Sequence, residues 1–140
     1  MSSATRTLAR VSDAITILCV EDDSRLRSVL ERLLGQQADM RVLPGLERAD
    51  GLCDAVRTHT PAIVLLDLNM PGVDPLAALA ALTGEGHSTR VIVLSGSDAR
   101  EHEARAVDAG AWAVLNKAME PSDLLHAIRR VAAGEVVLPE

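Results

Sequence analysis

The sequence predicts an α/β fold with a doubly wound, five-stranded parallel sheet, because short apolar segments alternate with amphipathic helical patterns. Four of these segments are almost continuously apolar, as strands covered on both faces of a parallel sheet are. They cover residues 15–20, 62–66, 90–94 and 112–116. A weaker strand over residues 40–43 completes five βα units, and right-handed crossovers between them make the sheet parallel.

The first predicted helix follows the first strand and has the clearest pattern. Ser24 is a candidate N-cap, and large apolar side chains recur on one face of the helix after it. These side chains belong to Leu26, Val29, Leu30, Leu33 and Leu34. The next predicted helix runs from about Glu47 to His59 and ends before Pro61.

Two further helices are predicted after the third strand. Asp74 as N-cap and Pro75 as the first helical residue open a helix over residues 74–82. The following helix, over residues 98–109, has Val107 as its only large apolar residue. This pattern predicts a helix that is weakly anchored to the sheet.

The last predicted helix begins near Pro121 and ends at Gly134. Its apolar face carries Leu124, Leu125, Ile128 and Val131. We expect one domain over residues 15–134, because the chain is too short for a second. Residues 1–14 are expected to form a loose leader, and residues 135–140 the start of a linker or tail.

Composition excludes several classes of function. The chain of 140 residues has a formal net charge of -6 and a single aromatic residue, Trp112, so neither charge nor stacking favours direct nucleic-acid binding. No apolar run approaches the roughly 18 residues that span a bilayer. Cys19 and Cys53 have neither metal-ligand spacing nor a disulfide pattern, which is typical of a reducing compartment. We therefore expect a cytoplasmic protein without a membrane partner.

The predicted strands end in polar residues suited to phosphate or metal chemistry. These residues are Glu21, Asp22, Asp23, Asp67, Ser95 and Lys117. Because sites in open α/β sheets form just outside the carboxyl ends of the strands, we expect these side chains to meet there. Lys117 is the only lysine in the chain, which argues against an ordinary solvated lysine.

The three adjacent acids after the first strand indicate a site for a hard divalent cation. Neighbouring carboxylates repel one another unless positive charge lies between them, and Mg²⁺ takes oxygen ligands. The alternative is that Asp22 or Asp23 only caps the next helix. A single cap, however, leaves the other acids unexplained.

Asp67, Ser95 and Lys117 together indicate phosphoryl chemistry. The carboxylate of Asp67 can act as a nucleophile toward phosphorus. The hydroxyl of Ser95 can donate to a phosphoryl oxygen, and Lys117 supplies the point charge that phosphate attracts. Taken singly, Asp67 is also consistent with a turn residue, and Ser95 with a loop serine before a glycine.

Taken in order, these segments resemble the receiver domain of bacterial two-component response regulators over about residues 15–134. The similarity lies in Ile-Leu-Cys-Val-Glu-Asp-Asp at 17–23, Ile-Val-Leu-Leu-Asp-Leu-Asn-Met-Pro-Gly at 63–72, Val-Ile-Val-Leu-Ser-Gly at 91–96 and Leu-Asn-Lys at 115–117, followed by Glu-Pro at 120–121. The resemblance implies a flavodoxin-like (βα)5 fold with strand order 2-1-3-4-5. The segment from Arg129 to Glu140 looks like the end of receivers in the NarL/LuxR branch.

The resemblance implies that Asp67 accepts a phosphoryl group from a sensor histidine kinase, while Ser95 and Lys117 bind the phosphoryl oxygens. It implies Mg²⁺ as the cofactor. The implied metal ligands are Glu21, Asp22, Asp67 and the backbone carbonyl of Asn69. Among them, Asp22 binds directly and Glu21 acts largely through water. Phosphorylation is then an electrostatic switch.

The resemblance also implies how the signal is used. It is consistent with a homodimer on phosphorylation and with regulation of transcription through a helix-turn-helix domain that contacts DNA. The end of this chain favours a receiver taken from such a transcription factor. A natural single-domain regulator is the alternative.

Three residues depart from the family pattern. The aromatic switch residue usual three positions before the lysine is Val114 here, which excludes readout through a rotating tyrosine. Strand alternation places Trp112 on the face of Val114, as a partial substitute. Pro75 stands where glycine is common, and Ala118 where proline or aspartate is usual, but neither change touches the phosphate chemistry.

Two other functions compete with a phosphoacceptor receiver. Val114 and the weak helix over residues 98–109 favour a receiver-like protein-interaction domain that acts independently of phosphorylation. An aspartate-nucleophile phosphatase is disfavoured, because its usual second acid is replaced by Asn69 and its nucleophile would follow the first strand. The preferred assignment is not an enzyme beyond its own phosphotransfer and dephosphorylation.

Overall fold

The computed structural model describes residues 14–96 and 99–139. The predicted leader therefore lies, apart from Ala14, outside the described residues.

The sheet has five parallel strands in the order β2-β1-β3-β4-β5, which confirms the predicted fold class and strand order. The strands are β1 Ile15–Val20, β2 Met40–Val42, β3 Ile63–Asp67, β4 Arg90–Ser95 and β5 Ala113–Asn116. Their register aligns the carboxyl ends, since Asp67 of β3 pairs with Leu94 of β4, and Ser95 of β4 pairs with Asn116 of β5.

Within the described residues, five α-helices connect and flank the strands. They are α1 Ser24–Gly35, α2 Leu52–His59, α3 Pro75–Gly84, α4 Ala99–Ala109 and α5 Pro121–Ala132. None of these described helices has the length and apolarity that crossing a membrane requires.

The sheet separates two apolar clusters, as a doubly wound fold requires. One cluster packs buried side chains of α2, α3 and α4 against one face of the sheet, including Leu52, Leu79 and Ala106. The other packs α1 and α5 against the opposite face, including Leu34 and Ile128. Since both faces are covered, the strands read as continuous apolar runs in the sequence.

The N-cap of α1 is Asp23, so the prediction for Ser24 is wrong. The Asp23 carboxylate accepts hydrogen bonds from the backbone amides of Arg25 (3.0 Å) and Leu26 (3.3 Å), and Ser24 is the first helical residue. Both residue types favour this position, and the adjacent acid takes it. The predicted N-cap of α3 is confirmed, because Asp74 accepts from the amide of Leu76 at 3.0 Å.

Helix α2 begins later than the predicted start at Glu47. The backbone of Leu46 accepts from the amide of Glu21 (3.0 Å) and donates to the carbonyl of Cys19 (2.9 Å), which keeps the chain extended beside β1. A 3-10 turn at Ala49–Gly51 then leads into the helix. Backbone pairing to the end of β1 therefore overrides the helical pattern of residues 47–51.

Helix α4 packs through alanines. Ala99 and Ala106 are its buried residues, whereas the side chain of Val107 is 42% exposed. The only large apolar residue of the helix thus contributes little to its docking.

Trp112 lies on the opposite side of the sheet from the one predicted. It packs against the cluster that contains α1 and α5, whereas Val114 belongs to the cluster of α2, α3 and α4. The strand begins only at Ala113, so the alternation used for the prediction does not extend to Trp112. The indole lies under the guanidinium of Arg90, 4.6 Å from its ring centroid, and does not replace a switch aromatic at Val114.

The segment after α5 pairs with the edge of β5. The amide of Val137 donates to the carbonyl of Trp112 (3.0 Å), and the amide of Val114 donates to the carbonyl of Val137 (3.1 Å). Arg90 donates to two carbonyls at the end of α5, those of Val131 (3.1 Å) and Ala132 (3.0 Å). The first residues of the predicted tail are therefore attached to the sheet.

Candidate functional site

Three strand-end side chains meet at the carboxyl edge of the sheet. Glu21 directly follows β1, Asp67 ends β3 and Lys117 directly follows β5. The ammonium nitrogen of Lys117 lies 2.9 Å from Asp67 Oδ1 and 3.1 Å from Glu21 Oε1. Two of the predicted acids, Glu21 and Asp67, therefore form one ionic cluster with Lys117, the only lysine of the chain.

Glu21, Asp22 and Asp67 each direct a carboxylate oxygen to one region, where these oxygens lie within 4.8 Å of one another. Glu21 and Asp67 are buried, with exposed fractions of 2% and 1%, and Asp22 is exposed. Such an all-oxygen group, open to solvent on one side, suits a hard cation that keeps part of its hydration shell.

One buried carboxylate oxygen of this group, Asp67 Oδ2, accepts no hydrogen bond from the described residues. Glu21 Oε1 has the ammonium of Lys117, at 3.1 Å, as its partner. A buried acceptor without a hydrogen bond costs free energy. The residues present thus fit a cation that such oxygens would ligate.

The loop after β3 fixes the orientation of the Asp67 carboxylate. The backbone amide of Asn69 donates to Asp67 Oδ1 at 2.9 Å, beside the contact of that oxygen with Lys117. The Asn69 side chain lies against Gly96, where an added Cβ would come within 2.7 Å of Asn69 Nδ2. The glycine after Ser95 therefore makes room for the loop that carries Asn69.

Ser95 is fully buried at the end of β4, between the strands that carry the acid and the lysine. Its backbone carbonyl accepts a hydrogen bond from the amide of Lys117 at 2.8 Å. Adjacent register on β4 and β5 thus holds Ser95 and Lys117 at the same edge as Asp67.

The contacts within this cluster raise the pKa values of both Glu21 and Lys117. Burial and the neighbouring carboxyl of Asp67 raise the pKa of Glu21 to about 7, although Lys117 opposes this shift. Burial lowers the pKa of Lys117, but its hydrogen bonds to Asp67 and Glu21 outweigh burial and leave the pKa above its ordinary value. The lysine therefore stays charged at neutral pH, and the acids are short of compensating positive charge.

The raised pKa of Glu21 predicts that the metal-free protein loses stability as pH rises from about 4.5 to about 7. In this window the folded state retains a proton on Glu21 that the unfolded chain has already released, so raising the pH favours unfolding. Glu21→Gln should remove this slope, and Glu47→Gln, which changes an exposed glutamate, should keep it. Urea unfolding in EDTA between pH 4.5 and 8 measures both slopes. The same slope in Glu21→Gln would contradict the assignment.

Asp23 does not join the acid group. Its carboxylate caps α1, and its backbone amide donates to Glu21 Oε2 at 3.2 Å. The capping interpretation thus holds for Asp23, while Asp22 and Glu21 lie with Asp67.

Arg27 is a residue of the site region that sequence reasoning missed. Its guanidinium donates to the backbone carbonyl of Glu21 at 2.6 Å. In the sequence Arg27 is one of several arginines on a predicted helix, and nothing in the spacing separates it from Arg25 or Arg32.

The strand order, the acid group after β1 and the lysine after β5 define a receiver-type α/β domain. The family model for the response regulator receiver domain matches residues 17–129, and the chain belongs to this family.

The chain is similar to response regulators of the NarL/LuxR type. It is 37% identical over 125 residues to the nitrate/nitrite response regulator protein NarL of Escherichia coli, with 89% of this chain and 58% of that protein covered. It is 30% identical to a LuxR family DNA-binding response regulator of Silicibacter pomeroyi, with a TM-score of 0.75 and coverage of 89% and 97%. A LuxR family regulator from Aurantimonas, 24% identical, shares the fold with a TM-score of 0.83 and 89% coverage of both chains.

Proposed function

We propose that this receiver domain is phosphorylated on Asp67 by a histidine kinase, with Mg²⁺ as cofactor, and that phosphorylation controls a transcription-regulating output. The observation that carries the proposal is the state of the Asp67 carboxylate. One oxygen is held by Lys117 and the Asn69 amide, while the other, buried, accepts no hydrogen bond from the described residues.

Asp67 is the nucleophile in this proposal. Lys117 and the Asn69 amide hold Oδ1, so rotation of the carboxylate is restricted. A carboxylate oxygen of Asp67 attacks the phosphorus of a phosphohistidine. The new P–O bond forms as the P–N bond breaks, and the imidazole leaves with the electron pair and takes up a proton. Positioning of the nucleophile is the main contribution of the protein to such a transfer.

Glu21, Asp22, Asp67 and the backbone carbonyl of Asn69 are the proposed metal-binding groups. When bound, Mg²⁺ supplies positive charge that neutralises the phosphoryl oxygens during transfer. The support is the all-oxygen group within 4.8 Å and the buried Asp67 Oδ2, which accepts no hydrogen bond from the described residues. Asp22, exposed to solvent, is the acid best placed to hold a partly hydrated cation.

Lys117 and Ser95 are proposed to bind the phosphoryl group once it is on Asp67. The ammonium of Lys117 is already 2.9 Å from the acceptor carboxylate, so it needs only a small movement to reach a phosphoryl oxygen. Ser95 contributes its hydroxyl from the adjacent strand end. Through its contacts with these two residues, the phosphoryl group would shift the carboxyl ends of β4 and β5.

An apolar cleft beside the site is the proposed kinase surface. The cleft has a volume of about 190 Å³, lies between α1 and the loop after β5, and reaches Lys117. Val29 on its α1 side is 63% exposed and adds apolar surface to the rim of this cleft. A phosphohistidine must reach Asp67 from a surface next to it, and this cleft is contiguous with the site.

The transcription-regulating output is proposed from the similarity of the chain to known response regulators. The chain spans 58% of the length of NarL from Escherichia coli, a nitrate/nitrite response regulator by its name. We infer that the receiver acts with a DNA-binding domain in the complete protein, that DNA is contacted only through that domain, and that phosphorylation promotes a homodimer. The domain is proposed to span residues 15–134, with the following segment as a linker.

A phosphate-independent interaction domain is the second candidate, favoured by one observation. Val114 is fully buried where the family has its switch aromatic, so the usual aromatic movement is absent from this position. Incubation with acetyl phosphate and Mg²⁺ distinguishes the two candidates. We expect intact mass spectrometry to detect the addition of a single phosphoryl group, which disappears when EDTA replaces Mg²⁺. A mass that never changes would favour the second candidate.

A further inference from the structure

We propose that Arg27 is a positioning residue for the metal group: its side chain holds the turn at residues 21–23 in the conformation that directs the Asp22 and Glu21 carboxylates toward Asp67. The inference rests on the proposed function, because it concerns the metal used in phosphorylation. It gives Arg27, on α1, a role that strengthens Mg²⁺ binding, whereas its positive charge alone would weaken that binding.

The turn between β1 and α1 is short and carries the acids. Asp22 lies in its middle, and among the described residues its carboxylate has no hydrogen bond or ion pair. Its position therefore follows from the backbone of the turn. On the helix side that backbone is fixed by the Asp23 cap, and on the strand side Arg27 Nη1 donates to the carbonyl of Glu21 at 2.6 Å.

The hydrogen bond of Arg27 to the turn is in a protected setting. The Arg27 side chain is 16% exposed and Glu21 is 2% exposed, so solvent competes weakly for the carbonyl. Charge-assisted hydrogen bonds of this length are about twice as strong as neutral ones. The second contact of the guanidinium, to Glu47 at 3.6 Å, is to a side chain that is 74% exposed and adds little.

A glycine makes room for the path of the Arg27 side chain. At Gly45, an added Cβ would lie 2.8 Å from Glu31 Oε2, 2.9 Å from Arg27 Cδ and 3.0 Å from the carbonyl oxygen of Cys19. The loop after β2 therefore approaches β1 and the arginine together without a side chain at this position. This packing against the Arg27 stem is separate from the hydrogen bond of its guanidinium to Glu21.

The direction of the change in Mg²⁺ affinity distinguishes a positioning role of Arg27 from a purely electrostatic one. A positive side chain close to a cation site repels the cation, so loss of its charge alone would tighten Mg²⁺ binding. Loss of a group that holds the ligands in place weakens binding, because Mg²⁺ demands near-ideal octahedral geometry. The two roles thus predict opposite changes for the same substitution.

The test is a two-dimensional NMR titration with MgCl₂ of the wild type, Arg27→Ala and Arg25→Ala. Arg25 is the matched control, since it is exposed, on the same helix, and its loss changes the net charge equally. We expect Arg27→Ala to weaken Mg²⁺ binding by about tenfold, the lower limit usual for groups that orient metal ligands. Arg25→Ala should bind Mg²⁺ as the wild type does, or slightly more tightly.

Unchanged or tighter Mg²⁺ binding by a folded Arg27→Ala protein would overturn the proposal, as would equal weakening in Arg25→Ala. If Arg27→Ala does not fold, Arg27→Met takes its place, because methionine keeps a long unbranched stem but has no donor for the Glu21 carbonyl. Unchanged or tighter Mg²⁺ binding in Arg27→Met would then overturn the proposal. The Asp22→Ala variant distinguishes failure of the Arg27 proposal from failure of the proposed metal site. Unaltered Mg²⁺ affinity in Asp22→Ala would show that the metal ligands themselves are wrongly assigned.

Discussion

Replacing Asp67 with asparagine is expected to abolish phosphoryl incorporation from both acetyl phosphate and a phosphorylated kinase. Asparagine has nearly the same shape but lacks the anionic oxygen that attacks phosphorus. Asp67 lies next to the buried Glu21, and removing one of two neighbouring acids relieves repulsion, so the variant should remain folded. Intact mass spectrometry after incubation with the donor measures the effect.

Asp23→Asn is the matched control for this prediction. It removes an aspartate from the same edge of the sheet, but asparagine is an equally good N-cap, so α1 should keep its start. We expect this protein to accept a phosphoryl group as the wild type does. Undiminished incorporation in Asp67→Asn would mean that another residue is the acceptor.

The second large effect is the dependence of stability on Mg²⁺. A cation that binds only the folded state raises its stability by about 1.4 kcal/mol when present at ten times its dissociation constant. For a domain of this size that corresponds to a rise of a few degrees in Tm. Thermal unfolding followed by circular dichroism, with MgCl₂ against EDTA, should show this rise in the wild type.

The Asp22→Ala/Asp67→Ala double variant should lose the Mg²⁺ effect. It removes two of the three carboxylates that lie within 4.8 Å of one another and leaves the fold-forming strands unchanged. Because the remaining Glu21 is paired with Lys117, it offers a poor site alone. A rise in Tm as large as in the wild type would place the metal elsewhere on the protein.

The strands and their order were predictable because burial on both faces leaves a simple mark in the sequence. Runs such as Ile15–Val20 and Ile63–Asp67 are short and almost continuously apolar. The polar residues at their carboxyl ends line the crevice in which sites of such sheets form. The meeting of Asp67 with Lys117, 50 positions later in the chain, follows from parallel register alone. The roles of these site residues in phosphoryl transfer stay predictions.

The details that the sequence did not predict depend on tertiary contacts. Asp23 and Ser24 are both good N-caps, and only the course of the turn after Glu21 selects the first. Trp112 is placed by its contact with Arg90, outside the strand whose alternation was used to orient it. Arg27 is marked by no spacing, since its contact with Glu21 depends on the angle between strand and helix.

Chemical trapping of the phosphorylated residue tests whether Asp67 is the phosphoacceptor. The wild-type protein is phosphorylated with acetyl phosphate and Mg²⁺, and borohydride then reduces the acyl phosphate to an alcohol, which converts an aspartate into homoserine. Tandem mass spectrometry of the proteolytic peptides locates the conversion. We expect homoserine at Asp67 and no reduced side chain at any other acid. Reduction at Asp22 or Glu21 instead, or phosphoryl incorporation without any reduced residue, would show that Asp67 is not the acceptor.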